Sequence, residues 1–243
     1  MKESNTLLSA TTIAKYAACP SQVYLDLVLN DRIWEQSKAL VKGNFYHMVR
    51  NYYNTNIDDS IDLLEKNRLF RKSLLDAYRY ADINDFSYVL PGYTLQIEKR
   101  LNEEISKHDA FPLISNETSL FSTKYNIKGR VDAIVNFKNS KIPWDYKTGY
   151  NPIFFDYNKV QILCYCLLLQ DNGYDAPFGI IDYVDIGVQE KVKVNYNNRK
   201  LVYNILANIF KMTINKQIPK LYKCNYYKHN QYCIHCSKLS EIN

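Results

Sequence analysis

Two aspartates and a lysine lie on neighbouring predicted strands, where together they could bind a divalent ion and act on a phosphodiester. Asp132 lies in the segment GRVDAIV, and Asp145 and Lys147 lie in WDYKTG. Because side chains alternate along a strand, Asp145 and Lys147 point to one face, and antiparallel pairing can bring Asp132 to the same face. Carboxylates hold Mg²⁺ or Mn²⁺ against a phosphate, and a lysine two residues away can reach the attacking water.

Four cysteines at the two ends of the chain have the donor chemistry of a metal site. They are Cys19, Cys224, Cys233 and Cys236. The last two form a C-x-x-C pair, a spacing that lets both sulfurs face one metal. Four thiolates suit zinc or a cubane 4Fe–4S cluster, and this chemistry alone does not separate the two. In a zinc site, His229 or His235 could replace one thiolate.

The other two cysteines, Cys164 and Cys166, are predicted to be core residues. They lie two residues apart on a predicted helix and so diverge by about 200° around its axis, which prevents both from joining one cluster. In a reducing setting, cysteines indicate metal ligands or core positions before disulfides.

The composition indicates a globular protein that can bury a full core. The chain has 243 residues, of which 47% are hydrophobic, and a net charge of +6 that is compatible with a polyanionic partner. Its 22 tyrosines could stack on unpaired bases, or they reflect the codon bias of an AT-rich genome. No signal-peptide or membrane-spanning pattern is visible, so we expect an intracellular, cytoplasmic protein without a membrane partner.

The hydrophobic pattern predicts the helices and strands that carry these residues. Ser9 is a plausible N-cap for a short helix that ends at Cys19, where Pro20 can begin the next helix. Apolar residues at helical spacing predict more helices over 42–54, 61–81, 90–107, 157–171 and 198–215. Short segments rich in β-branched and aromatic residues predict a three-stranded meander, PLISNETSLFS, YNIKGRVDAIVNF and KIPWDYKT, and a later pair, FGIIDYVDI and EKVKVNY.

This order of elements predicts an α/β core with a helical N-terminal lobe. We expect one domain, residues 1–243, without an internal repeat or a low-complexity linker. Within it, residues 1–110 form the helical lobe, 111–197 the sheet core with the active site, and 198–243 the C-terminal helix and cysteine tail.

The strand motifs resemble the core of the PD-(D/E)XK nuclease superfamily, in its RecB-like branch. There, a Gly-x-x-Asp strand precedes an Asp-x-Lys-Thr-Gly strand end, as GRVDAIV precedes WDYKTG here. A helix with Gln-x-x-x-Tyr follows in that branch, and Gln161 and Tyr165 have this spacing, which puts them on one helical face. The resemblance implies a restriction-endonuclease-like core, a mixed central sheet flanked by helices, and assigns that helical face to the active site and the DNA backbone.

Further positions extend the resemblance toward both ends of the chain. LSATTIAKYAACP is similar to the family's opening segment, and Gly43 and His47 match a Gly-x-x-x-His helix whose histidine binds the metal. The resemblance implies His47 as a third ligand beside the two aspartates, and Glu117 matches a strand glutamate near the metal. Tyr146 points to the other face of its strand, but its carbonyl could serve as a ligand.

The resemblance also bears on the cysteines. In RecB-like nucleases of the AddB type and the CRISPR-associated Cas-four type, one cysteine before the core and three after it bind a 4Fe–4S cluster. The spacing C-x8-C-x2-C at the end of this chain departs from the commoner order, in which C-x-x-C comes first. A cluster of this kind would be structural, because it closes a very long loop and removes chain entropy from the unfolded state.

The sequence therefore predicts a metal-dependent DNA nuclease with a structural 4Fe–4S cluster. The family analogy implies an exonuclease that acts on single-stranded or frayed DNA, with a CRISPR integrase or a helicase as possible partner and a homo-oligomer as a possible assembly. Two alternatives stay open: a catalytically inactive DNA-binding or scaffolding module of the same fold, and a zinc-stabilised enzyme.

Overall fold

The computed structural model describes residues 7–33, 38–56, 62–80, 99, 113–149, 155–220, 224 and 233–242. The helices are α1 (Ala10–Ala18), α2 (Pro20–Leu27), α3 (Lys38–Asn56), α4 (Leu63–Tyr80), α5 (Phe155–Asp171), α6 (Tyr196–Asn215) and α7 (Ile234–Ile242). The strands are β1 (Leu8–Ser9), β2 (Leu113–Ser122), β3 (Ile127–Phe137), β4 (Ser140–Lys147), β5 (Phe178–Tyr183) and β6 (Val188–Lys193). No helix in this part of the chain is long and apolar enough to cross a bilayer.

The six strands form one mixed sheet around β3 and β4. The order is β1-β3-β4-β5-β6, and β2 pairs with β3 as well. β2, β3 and β4 pair antiparallel, and β5 and β6 do likewise, whereas β4 and β5 are parallel. The parallel step follows from the connection, because α5 carries the chain back across the sheet between β4 and β5.

Two hydrophobic clusters cover the two faces of the sheet. One face packs against α1, α5 and α6, with side chains such as Ile13, Leu163 and Val202 buried. The other face packs against α3 and α4, with Phe45 and Phe70 buried on it. The sheet is therefore buried on both sides, and its strands alternate between two apolar partners rather than between core and solvent.

The break between α1 and α2 positions the first cysteine. Ser9 caps α1 by accepting a hydrogen bond from the backbone N–H of Thr12 at 2.9 Å, as the sequence predicts. Cys19 has extended backbone geometry between the helices, and Pro20 takes the first turn of α2, where its missing N–H leaves no bond unmade. The buried Cys19 is thereby fixed at a corner rather than along a helix face.

The predicted mixed α/β architecture is confirmed. The meander corresponds to β2–β4, the later strand pair to β5 and β6, and the helices predicted over 42–54, 61–81, 157–171 and 198–215 to α3, α4, α5 and α6. The helix predicted over 90–107 lies outside the described residues except for Lys99, which is helical. The pattern did not predict β1, which has two residues, or α7, which follows Cys233 directly.

Candidate functional site

Asp132 lies where β3 and β4 separate. The last paired residues of the two strands are Ala133 and Trp144, and beyond them Asp132 Oδ2 accepts a hydrogen bond from the backbone N–H of Tyr146 at 2.9 Å. A side chain thus replaces the backbone acceptor that a continuing ladder would have supplied. This exchange fixes the carboxylate in the gap between the strands, where its remaining lone pairs can bind a ligand.

Asp145 and Lys147 project from the last residues of β4 toward α5. Lys147 Nζ lies 2.7 Å from Asp145 Oδ2 and donates to Gln161 Oε1 at 3.0 Å. Gln161 in turn donates to the hydroxyl of Tyr165 at 2.8 Å. Strand alternation and helical spacing together bring these four predicted residues into one connected chain of polar contacts.

The other candidate ligands converge on Asp132. His47 Nδ1, from α3, lies 3.8 Å from Asp132 Oδ2 and 4.0 Å from Glu117 Oε1, from β2. One donor atom from each of the three residues lies within 4.8 Å of the others. Asp145 is outside this group of three, and its carboxylate contacts Lys147 instead.

The backbone at Glu117 is strained. Its φ of 48° lies in the left-handed region, which a residue with a Cβ adopts only at a cost of about 1 kcal/mol or more. Glu117 sits between the paired residues Asn116 and Thr118 in β2, where extended backbone is expected. This backbone conformation directs the Glu117 carboxylate toward His47 and Asp132. Strained backbone of this kind is common at functional sites.

Two glycines let the surrounding elements approach the site. A Cβ on Gly129 would lie 2.8 Å from the ring of Tyr165, so only glycine lets α5 pack this closely on β3. A Cβ on Gly43 would lie 3.2 Å from Thr148 Oγ1, which places α3 against the turn after Lys147. The glycines of both predicted motifs therefore have a packing reason for their position.

Burial sets the ionisation of the site. It raises the pKa of Asp132 and of Asp145 to about 6, against the opposing charge of Lys147. It lowers the pKa of His47 to about 4, although the Asp145 carboxylate acts in the other direction. Burial alone would lower the pKa of Lys147 too, but Asp145 raises it above its ordinary value.

At neutral pH the site therefore has two ionised aspartates, a neutral imidazole and a cationic lysine. Anionic oxygens with one neutral nitrogen suit a hard divalent ion such as Mg²⁺ or Mn²⁺. The donor set of Asp132, Glu117 and His47 fits such an ion. The carbonyl of Tyr146 stays a predicted ligand.

The four predicted cluster cysteines form a second, buried group. Cys19, Cys224, Cys233 and Cys236 make one cluster, all are free thiols, and one sulfur from each lies within 4.8 Å of the others. Cys19 Sγ and Cys233 Sγ are 3.7 Å apart, and Cys236 Sγ contacts Ser21 Oγ at 3.5 Å. The cluster joins the α1–α2 corner to the last described helix, more than two hundred residues away in sequence.

This donor set fits a metal centre. Contacts with neighbouring thiols and burial raise the pKa of Cys19, and burial raises the pKa of Cys236 to about 12, so binding a metal would displace protons from the thiols. Sulfurs around one tetrahedral zinc lie about 3.8 Å apart, because the Zn–S distance is about 2.3 Å. In a cubane each thiolate binds a different iron, which requires a wider arrangement of the sulfurs.

The two remaining cysteines are core residues, as the sequence predicts. Cys164 and Cys166 are fully buried on α5, and burial raises the pKa of the Cys164 thiol to about 12. His235 is partly buried on α7, and His229 lies outside the described residues.

The sequence pattern did not indicate two arginines that lie near the site. Arg50 is buried on α3, and its guanidinium lies over the ring of Tyr146 at 4.3 Å from the centroid. It also donates a hydrogen bond to the Tyr146 hydroxyl. These contacts fix Tyr146, the residue whose backbone N–H donates to Asp132. Arg130 Nε pairs with Glu117 Oε2 at 2.8 Å. Arg50 follows His47 by three residues, so helical spacing could have placed it beside the site.

Comparison with known proteins identifies the family to which the chain belongs. The chain matches the family described as the PD-(D/E)XK nuclease superfamily over residues 7–238. An uncharacterized protein of Rickettsia typhi, RT0391, is 30% identical over 194 residues, which cover 70% of this chain and 22% of that protein. The chain thus matches less than a quarter of that relative's length. The crystal structure of SSO0001 is 15% identical and aligns over 86% of this chain and 92% of its own, with a TM-score of 0.32.

Proposed function

Since the chain belongs to the PD-(D/E)XK nuclease superfamily, we propose that it is a metal-dependent deoxyribonuclease that hydrolyses phosphodiester bonds. The family match covers nearly the whole chain, and the mixed sheet flanked by helices agrees with a restriction-endonuclease-like core. One observation carries the proposal: Lys147 and Asp145 contact each other at 2.7 Å beside a His47–Glu117–Asp132 group that can hold an ion.

Each residue has a separate task in the proposed reaction. Asp132, His47 and Glu117 hold Mg²⁺ or Mn²⁺, with Asp145 completing the anionic side of the site. When bound, the ion polarises the scissile phosphate and lowers the pKa of a water ligand. Lys147 orients the attacking water and places a positive charge beside the phosphate as negative charge develops.

Side chains of the helix α5 hold Lys147 in place through hydrogen bonds. Gln161 accepts from Lys147 Nζ and donates to Tyr165, so the ammonium is held by two partners, Gln161 and Asp145. Buried groups that fix a charged side chain in advance reduce the reorganisation needed during reaction. We therefore propose that Gln161 and Tyr165 position Lys147 and that Gln161 also faces the nucleic-acid backbone.

We infer from the sequence resemblance that the substrate is single-stranded or frayed DNA and that cleavage is exonucleolytic. A single assay separates the alternatives: single- and double-stranded DNA, labelled at either end, is incubated with the protein and Mn²⁺, Mg²⁺ or EDTA. We expect the labelled DNA to be shortened stepwise from one end with Mn²⁺ or Mg²⁺ and to stay intact in EDTA. Equal products with and without EDTA would overturn the proposal.

A catalytically inactive DNA-binding or scaffolding module of the same fold is the rival function. An inactive protein of this fold has usually lost one of the acidic residues or the lysine of the site. In this chain Asp132, Asp145 and Lys147 are all present. DNA binding without cleavage under every metal condition would favour the rival.

We propose that the cysteine cluster holds a structural metal centre, with a 4Fe–4S cluster as the first candidate from the family resemblance. Zinc is the second, and the 3.7 Å between Cys19 Sγ and Cys233 Sγ favours it. Metal analysis and the visible absorption spectrum of anaerobically purified protein decide between them. A brown protein with about four irons per chain indicates the cubane, and a colourless one with one zinc excludes it.

The proposed setting is intracellular. A CRISPR integrase or a helicase are the partners that the resemblance suggests, and a homo-oligomer is a possible assembly. Co-purification of tagged protein from its own cells, followed by measurement of the mass in solution, tests both points.

A further inference from the structure

An open cleft lies on the sheet beside the proposed metal site. It has a volume of about 450 Å³, and Phe121, Lys128, Arg130 and Ser9 are among the residues that line it. Phe121 is a large apolar side chain with 63% of its surface exposed, and the Arg130 side chain is 70% exposed. The exposed ring and the two cations lie on one open surface, where they can offer stacking and charge contacts together.

The strand register arranges these side chains in a row. Phe121 pairs with Lys128 and Ser119 pairs with Arg130 across β2 and β3, so the members of each pair share a face of the sheet. Two residues along a strand span about 7 Å, so the Phe121–Lys128 pair is one such step from the Ser119–Arg130 pair. That step is comparable with the spacing of successive phosphates along an extended single strand of nucleic acid.

The row leads to the metal site. Arg130 contacts Glu117 at 2.8 Å, and Glu117 shares the candidate ion site with His47 and Asp132. A strand whose scissile phosphate lies at Asp132 would therefore place its next phosphate near Arg130 and a further one near Lys128. The base between them would reach the ring of Phe121.

We propose that this row of β2 and β3 residues is a binding track for one nucleic-acid strand, on the side of the scissile phosphate that faces Lys128. The proposal rests on the proposed nuclease function and adds the path of the substrate to it. Lys128 and Arg130 neutralise successive phosphates, and Phe121 stacks on a base without reading its identity. The start of α1, capped by Ser9 at the cleft, adds the positive end of a helix dipole.

The two kinds of contact give different signatures in a binding experiment. The probe is a fluorescein-labelled 12-nucleotide single strand in EDTA, and the affinity is measured by anisotropy over a range of salt concentrations. Lys128→Gln should reduce the slope of log affinity against log salt by about 0.7, the value for one lost phosphate contact on a single strand. Phe121→Ala should weaken binding by about tenfold and leave that slope unchanged, because stacking releases no counterions.

Matched control variants lie at the other edge of the sheet. Lys193→Gln removes an exposed lysine from β6, and Tyr196→Ala removes an exposed ring at the start of α6. Both should bind like the wild type. If Lys128→Gln and Phe121→Ala also bind like the wild type, the track is wrong, whatever the cleavage assay shows. If they bind as expected but wild-type protein cleaves nothing, the nuclease function fails while the track stands.

Discussion

The carboxylate site and the cysteine cluster differ in the stability cost of the groups that they bring together. The carboxylate site gathers charged and strained groups that are costly to hold together, among them Asp132, Asp145 and the left-handed Glu117. The cysteine cluster gathers four buried thiols from the two ends of the chain. On the roles proposed above, the first site would hold costly groups ready for a substrate at the expense of stability, whereas the second would add stability when a metal occupies it.

Removal of the Lys147 side chain should slow DNA cleavage more than any other substitution considered below. Lys147→Ala should lower the DNA cleavage rate by about a thousandfold, because it removes the cation placed beside the developing phosphate charge. Lys141→Ala, at the other end of the same strand and also partly buried, is the matched control. Cleavage rates under single-turnover conditions measure the effect, and equal rates for Lys147→Ala and wild type would contradict the assigned role.

Loss of one cluster cysteine should affect stability and metal content rather than cleavage. Cys233→Ser should lower the free energy of unfolding by about 2–5 kcal/mol, because it opens a site that ties the two chain ends together. Bound metal should fall as well, while cleavage per folded molecule persists. Cys164→Ser is the control, because it changes a buried cysteine outside the cluster and should leave the metal content intact. Equal metal content in Cys233→Ser and wild type would show that the cluster is not a metal site.

Asp132→Asn should move stability and activity in opposite directions. The pKa of this carboxyl is about 6 in the fold, raised from 3.8 by burial, so its ionisation destabilises the metal-free protein progressively from about pH 4 and reaches its full cost above pH 6. The substitution removes that cost and should stabilise the metal-free protein by up to about 3 kcal/mol. The gain grows as the pH rises from 4 to 6 and vanishes below the unfolded pKa.

Urea unfolding at pH 4, 5, 6 and 7.5, with EDTA, measures this difference. The amide oxygen of the substituted side chain can still accept from the Tyr146 N–H, so the hydrogen bond itself is not the variable. A variant less stable than the wild type at pH 7.5 would show that the carboxylate does not carry the expected cost.

Relief of the backbone strain at Glu117 should change the free energy of unfolding only slightly. In the metal-free protein, Glu117→Gly should be about 1 kcal/mol more stable than Glu117→Ala, because both variants lose the ion pair with Arg130 and only glycine adopts the observed φ without the Cβ penalty. Thermal unfolding in EDTA measures it. Metal affinity should fall in both variants, because both lose the carboxylate, and equal stability of the two variants would show that the backbone at this position is not strained.

Local periodicity made much of this arrangement predictable from the sequence. Alternation along β4 places Asp145 and Lys147 together, and four-residue helical spacing places Gln161 beside Tyr165. Their contacts follow the predicted geometry, and their catalytic roles stay predictions. The C-x-x-C pair likewise predicted thiols that face one centre, and the structure brings all four cysteines together.

The remaining features depend on tertiary contacts that no local pattern encodes. The hydrogen bond of Asp132 to the Tyr146 N–H arises because β3 and β4 separate at that point. The pairing of Arg130 with Glu117 depends on the register of two strands and on the irregular backbone at Glu117. The helix α7 was missed because it is short and carries no acidic residue in its first turn to mark its start.

We propose that His47, Glu117 and Asp132, with Asp145 nearby, form one divalent-cation site. Titration of the protein with Mn²⁺, followed by electron paramagnetic resonance of the free ion, tests it without any substrate. We expect the wild type and Asp175→Asn, which changes an exposed aspartate at the far end of β4, to bind Mn²⁺ alike. Asp132→Asn should bind at least about tenfold more weakly. Equal affinity in Asp132→Asn and wild type would contradict the account.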